Sequence, residues 1–184
     1  SRRQRQMCIR DSYINDGKDE TMTDLGANAI WLMPINPSPT YHKYDVKDYK
    51  AIDPQYGSME DFDEFMKAAK SRGIKVILDL VMNHSSSEHP WFQEAVSALE
   101  KGDLDNKYID YYFFSKEKRA DYWYPVGDTG YYYEGKFWSE MPDLNLDNED
   151  LRAEFKDIME FWLKEKGVDG FRLDAVKEFD SGNN

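Results

Sequence analysis

A single cysteine, Cys8, stands in 184 residues, which excludes an intrachain disulfide framework. No apolar run approaches the roughly 20 residues a membrane-spanning helix needs. Ser1–Asp11 lacks the apolar stretch of a secretory signal, so the sequence leaves cytoplasm and secretion equally open. Cations are the minority: 24 Lys and Arg face 36 Asp and Glu, a net charge of −12. Nucleic acid and anionic membrane are poor partners for such a surface. Internal repeats and low-complexity tracts are absent too.

The basic residues that exist are unevenly placed. Ser1–Asp11 carries four arginines and one aspartate within an otherwise acidic chain, and residues 1–12 read as a segment foreign to the fold. Aromatic residues are abundant, at 15% with 13 Tyr and 5 Trp. Flat rings with polar edges suit stacking against sugars or proteins as well as packing in a core.

From about Asp24 the pattern alternates strand and helix. Ala27–Met33 is a short apolar run closed by Pro34, and it predicts a buried strand. Ser58-Met59-Glu60-Asp61 predicts a capping box for a helix bearing Phe62, Phe65, Met66 and Ala69, stopped at Gly73. Lys75–Val81 is the next strand, rich in branched residues. A long excursion follows from Asn83 to about Asn145, with one short amphipathic helix near Trp91–Leu99. Excursions of this length are usually functional. Asn148 predicts an N-cap for a helix whose apolar face holds Leu151, Phe155, Ile158, Met159, Trp162 and Leu163, and Val168–Leu173 is a third strand. Near-continuous apolar strands separated by amphipathic helices predict an α/β fold with a parallel sheet buried on both sides. Three strands cannot close a barrel.

The third strand runs into Gly170-Phe171-Arg172-Leu173-Asp174. Alternation along a strand puts Arg172 and Asp174 on one face. A guanidinium beside a carboxylate keeps it ionised and aimed, as a nucleophilic carboxylate requires. Asp174 is the leading catalytic candidate, and Asp79, at the end of the neighbouring strand, is read as a structural partner for Arg172.

Five segments together resemble the alpha-amylase superfamily, glycoside hydrolase family 13. They are Ile30-Trp31-Leu32-Met33-Pro34, Tyr41-His42-Lys43-Tyr44-Asp45, Asp79-Leu80-Val81-Met82-Asn83-His84, Met141-Pro142-Asp143-Leu144-Asn145 and Gly170–Asp174. Their order and spacing carry the resemblance over roughly residues 13–180. The second segment stands where the family has Tyr-His-Gly-Tyr. Met-Pro-Asp-Leu-Asn is similar to the intermediary alpha-amylase group, with oligo-1,6-glucosidases as neighbours.

The resemblance implies a partial (β/α)₈ barrel, about strands two to four, in 13–84 and 146–184, with an inserted domain B over 85–145. It implies that Asp174 is the nucleophile of a retaining double displacement and Arg172 its positioning partner. Tyr44 would stack under the sugar, His42 and His84 would contact it, and Lys177 would reach the leaving-side sugars. Glu178 departs from the histidine many amylases carry there. Asn83 and Asp143 match oxygen ligands of a calcium ion. The implied substrate is an α-1,4-glucan or maltooligosaccharide handled by a monomeric enzyme, with α-1,6-glucosidase, transglycosylase and non-catalytic relatives as alternatives. The family's acid/base glutamate and third carboxylate match no residue of this chain. Tyr13–Leu25 resembles the end of the helix after the first barrel strand. The 184 residues alone are therefore expected to be inactive.

Overall fold

The computed structural model describes Ile14 and residues 25–179. The segment 1–12 and most of the stretch Tyr13–Leu25 lie outside the described residues. Six strands and three α-helices are described: β1 (Ala29–Leu32), α1 (Met59–Ser71), β2 (Lys75–Leu80), α2 (Pro90–Lys101), β3 (Phe114–Ser115), β4 (Trp123–Pro125), β5 (Tyr132–Glu134), α3 (Glu149–Glu160) and β6 (Gly170–Leu173). Strands β1, β2 and β6 form a parallel sheet in the order β1-β2-β6, while β3, β5 and β4 form a separate antiparallel sheet. None of the described helices is long and apolar enough to cross a membrane.

Helix α1 starts and stops as its sequence dictates. The Ser58 hydroxyl accepts from Asp61 N–H and the Asp61 carboxylate accepts from Ser58 N–H, closing the capping box. At the other end Gly73 takes φ +70°, and Ile74 N–H donates to Ala69 O at 3.0 Å, the wide bond that closes a left-handed helix terminus. Helix α3 is capped by the Asn148 side chain accepting from Leu151 N–H at 2.9 Å.

Val76, Leu78 and Leu80 of the central strand share one apolar cluster with Phe62, Met66 and Ala69 of α1 and with Leu151, Phe155 and Ile158 of α3. Trp162 seals it, edge-on to Phe62 with 5.3 Å between ring centroids. Its indole N–H is satisfied by Tyr49 O at 2.8 Å. Burying these side chains stabilises the fold by about 25 cal/mol per Å² of apolar surface removed from water.

The structure adds to the sequence expectations in three places. Within these 184 residues alternate residues of β1 are exposed, with Trp31 at 51%, on a face that no other described element covers. The apolar cluster covers the face of the sheet that carries Ile30, Leu32, Val76, Leu78 and Leu80, whereas the opposite face, with Trp31 and Arg172, stays open. Leu163 does not belong to the buried stripe of α3. The chain passes into a π-helical turn at Phe161–Glu165, and Leu163 is exposed beside the buried Trp162. The excursion also carries the small β3-β5-β4 sheet, and its buried rings extend the apolar cluster of the main sheet. There Phe92 of α2 meets Tyr112 and Tyr133 edge-on at 5.1 and 4.9 Å.

Between β1 and α1 the chain contains an unusual residue. Lys43 adopts φ +66°, a left-handed conformation rarely taken by a side-chain-bearing residue, at the position where the resembling family motif has glycine. Its ammonium is buried and donates to Asp53 Oδ2 at 2.7 Å. Asp53 also accepts from Gln55 N–H at 2.8 Å and Ser38 N–H at 3.3 Å. Removing one partner of a buried pair leaves the other charge uncompensated, at a cost of about 3–5 kcal/mol. Lys43→Met is expected to lose that much stability in a urea titration of the full-length protein, whereas replacing both partners, as Lys43→Met with Asp53→Asn, is expected to recover much of it.

Candidate active site

The parallel sheet register places the charges. Asp79 of β2 lies opposite Arg172 of β6, so their side chains leave the sheet on the same face. One guanidinium nitrogen, Arg172 Nη1, donates to both Asp79 oxygens at 3.2 Å and to Asp174 Oδ1 at 2.5 Å. The Arg172 guanidinium also lies 5.4 Å from the ring centroid of Trp31, a cation–π contact. Asp174 thus sits just beyond the end of β6 with its carboxylate anchored on one side.

Beside it is an open cleft of about 450 Å³ lined by His42, Tyr44, His84, Phe137, Trp138, Met141 and Asp174. That size suits a small ligand such as a sugar ring. Asp174 is the carboxylate among those lining residues. The Tyr44 hydroxyl donates to Asp79 Oδ2 at 3.2 Å, so the buried Asp79 holds both the arginine and the tyrosine ring. Burial pushes the Asp79 carboxyl above its usual range against the pull of Arg172. Burial and the neighbouring Asp79 raise the Tyr44 phenol, which stays a neutral donor.

His42 accepts from Tyr44 N–H through Nδ1 at 3.1 Å. His84 is buried, with its ring 5.2 Å from that of Phe137. Burial lowers its pKa to about 4, leaving a neutral imidazole at pH 7. Among the described residues, His84 Nε2 is one of two buried side-chain polar atoms with no partner, the other being Asp45 Oδ2. An unpaired ring nitrogen in the cleft lining is suited to a ligand hydroxyl.

Asp174, Arg172, Tyr44, His42 and His84 therefore come together. Lys177 does not: it is exposed, in a single 3₁₀ turn at Val176–Glu178, and is not among the cleft residues. Sequence reasoning missed Phe137 and Trp138, two rings among many. Their signal was their position immediately before the Met141-Pro142 segment that folds back onto His84.

Asn83 and Asp143 also meet, at the join between the excursion and the sheet. Asn83 Nδ2 donates to Asp143 Oδ1 at 3.3 Å, and Lys136 N–H donates to Asp143 Oδ2 at 3.0 Å. Each carboxylate oxygen thus accepts one N–H of the chain, and Asn83 turns its N–H₂ and not its oxygen toward Asp143. Among the described residues no group of three or more His, Cys, Asp or Glu could hold a metal ion, and calcium takes about 6–8 oxygens. As arranged, this donor set does not fit calcium.

Residues 18–184 match the family described as alpha amylase, catalytic domain. The chain belongs to the alpha-amylase family. It is 54% identical over 157 residues to Alpha-amylase 3 of Dictyoglomus thermophilum, covering 84% of this chain and 30% of that protein. It is 38% identical over 173 residues to an oligo-1,6-glucosidase of Heyndrickxia coagulans, covering 86% of this chain and 30% of that one. Among solved structures, the alpha-amylase from H. orenii superposes with a TM-score of 0.82 at 46% identity, covering 94% of this chain and 36% of that one. The chain spans about 30% of the length of the curated relatives it matches. Its structural neighbours are TIM-barrel enzymes, and the parallel sheet and α/β layering described above agree with part of that fold.

Burial makes stability depend on pH with a definite sign. His84 and His89, the latter capping α2 by accepting from Trp91 N–H at 3.1 Å, both have pKa values lowered to about 4 by burial. Between pH 6.5 and 4 the unfolded chain binds protons that these folded imidazoles refuse, so their contribution is lost as pH falls. Asp143 opposes them: burial pushes its pKa up to about 7, so below that pH the folded form takes a proton the unfolded carboxylate declines. Asp79 and Glu134, also raised by burial, act on the same side as Asp143, so the histidine contribution is isolated by substitution. In urea titrations of the full-length protein, His89→Asn, which keeps a capping oxygen, is expected to lose less stability than wild type between pH 7 and pH 4.

Proposed function

We propose that this chain is the nucleophile-bearing part of a retaining glycoside hydrolase that acts on α-1,4-linked glucans or maltooligosaccharides as a monomer. In this reading β1, β2 and β6 are strands two to four of a (β/α)₈ barrel within 13–84 and 146–184, and residues 85–145 are the inserted domain B. The observation that carries it is Asp174, held by Arg172 at the carboxyl end of a parallel strand, the end where such barrels build their sites. It shares its cleft with Tyr44 and His84.

The family resemblance supplies the roles, and the geometry is compatible with them. Asp174 attacks the anomeric carbon as the glycosidic C–O bond breaks, the leaving oxygen takes a proton from a second carboxyl, and water activated by that carboxyl then hydrolyses the glycosyl ester. Arg172 directs Asp174 while Asp79 fixes Arg172 from behind. Tyr44 offers its ring to the apolar face of the sugar. His42 and the neutral His84 contact hydroxyls. Retention requires a second carboxyl about 5–5.5 Å from the first, acting as acid and then base. We assign that group to sequence of the full-length protein beyond these residues. Greater identity to Alpha-amylase 3 than to the oligo-1,6-glucosidase favours α-1,4 over α-1,6 linkages.

In the full-length protein, Asp174→Asn is expected to lower kcat on maltotriose by about 10³-fold or more, equivalent to about 4 kcal/mol of barrier, with little change in melting temperature. Tyr44→Ala is expected to raise KM several-fold. Hydrolysis unaffected by Asp174→Asn would overturn the assignment. The 184 residues by themselves are expected to release no reducing sugar.

A further inference from the structure

The join between the excursion and the main sheet is built around a lysine. Lys136 lies two residues beyond the end of β5, and its ammonium reaches Glu178 Oε2 at 2.7 Å, in the 3₁₀ turn after β6. Its own N–H donates to Asp143 Oδ2, and Asp143 receives the Asn83 amide in turn. Glu134, a buried carboxylate two residues earlier, adds to the negative field on the same ammonium. One residue thus touches both Asp143 of the excursion and the β6 exit, and three carboxylates, Glu134, Asp143 and Glu178, act electrostatically with its single positive charge.

We propose that Lys136 is a tethered internal cation that fastens the excursion to the β6 exit, so that the join is closed without a bound metal ion. Three acidic side chains act electrostatically on Lys136 or on one another here, which favours a positive charge. The side chains do not supply a metal's ligand shell, since Asn83 turns its N–H₂ to Asp143 and no cluster of three or more His, Cys, Asp or Glu able to hold a metal ion occurs among the described residues. The ammonium supplies the charge, and the main-chain N–H of the same residue supplies a bond that no soluble ion could make. The neighbouring Phe137 and Trp138, which line the cleft facing Asp174, are thereby held by the residue that precedes them. Lys136 is itself not among the residues lining the cleft.

The test uses the full-length protein and reads thermal stability and metal binding, so it stands whether or not the hydrolase reading holds. Wild type is expected to melt within 1–2 °C of the same temperature in EDTA and in millimolar calcium, with no calcium uptake by titration calorimetry assignable to this join, that is, none abolished by Asp143→Asn. Lys136→Met is expected to lower the melting temperature by several degrees, Lys136→Arg to retain most of it, and Glu178→Gln to give a smaller loss that 1 M NaCl shrinks by screening. In the Lys136→Met, Glu178→Gln double variant the two losses are expected to add to less than their sum. Should Lys136→Met fail to fold, the Arg and Gln variants and the wild-type calcium measurement still decide the matter. Calcium-dependent melting of the wild type that Asp143→Asn removes would overturn the proposal, as would strictly additive effects of the two substitutions or full wild-type stability in Lys136→Met.

Discussion

One guanidinium organises the candidate site. Arg172 Nη1 is shared by the buried Asp79 and by Asp174, and everything else is placed relative to that bond set. The sharing depends on parallel pairing in one register, Asp79 opposite Arg172. A slip of one residue would turn Arg172 to the apolar face and bury a charge among Val76, Leu78 and Leu80. The hydrophobic cluster therefore secures the geometry around Asp174 as well as the fold. Penalties on misplaced charge and misplaced leucine act in the same direction.

Asp79 has an unusual load. Buried and pushed toward its neutral form by desolvation, it is pulled back toward its charged form by Arg172, and it also accepts from Tyr44. The ring that lines the cleft and the arginine that holds Asp174 thus share one support. A disturbance at Asp79 would reach both, with no direct contact between Asp79 and a sugar needed.

Much of this was legible in the sequence because it rests on local rules. The Ser58–Asp61 capping box, the Gly73 stop and the pairing of Arg172 with Asp174 follow from spacing within a few residues. The Asp79–Arg172 ion pair could be anticipated from two carboxyl-terminal strand ends of opposite charge. What was hidden depends on long-range geometry. Which residues of β1 face the helices, Ile30 and Leu32, and which share the face of Arg172, Trp31, depends on sheet pairing that no local pattern records. Leu163 kept helical spacing on paper, but the stripe closes on Trp162 as the backbone enters its π turn. Phe137 and Trp138 reach the cleft only because Met141–Leu144 folds back on Asn83 and His84. The Lys136–Glu178 pair joins residues more than forty positions apart, and neither side chain marks the other. Lys43 is the mixed case, since its departure from glycine was visible but its buried partner Asp53 was not.

The excursion between β2 and α3 has an aromatic interior, where Phe92, Tyr112, Phe114 and Tyr133 pack on one another. Those rings belong to the same apolar cluster as the central strand, and Trp91 carries the contact across, stacked on Tyr49 at 5.9 Å and edge-on to Phe155 at 6.1 Å. An insertion that shares its interior with the layer beneath can change its solvent-facing loops at small cost, but its inner rings cannot be repacked alone. The wall of the cleft that carries Phe137 and Trp138 is thereby tied, through that shared interior, to the sheet that holds Asp174.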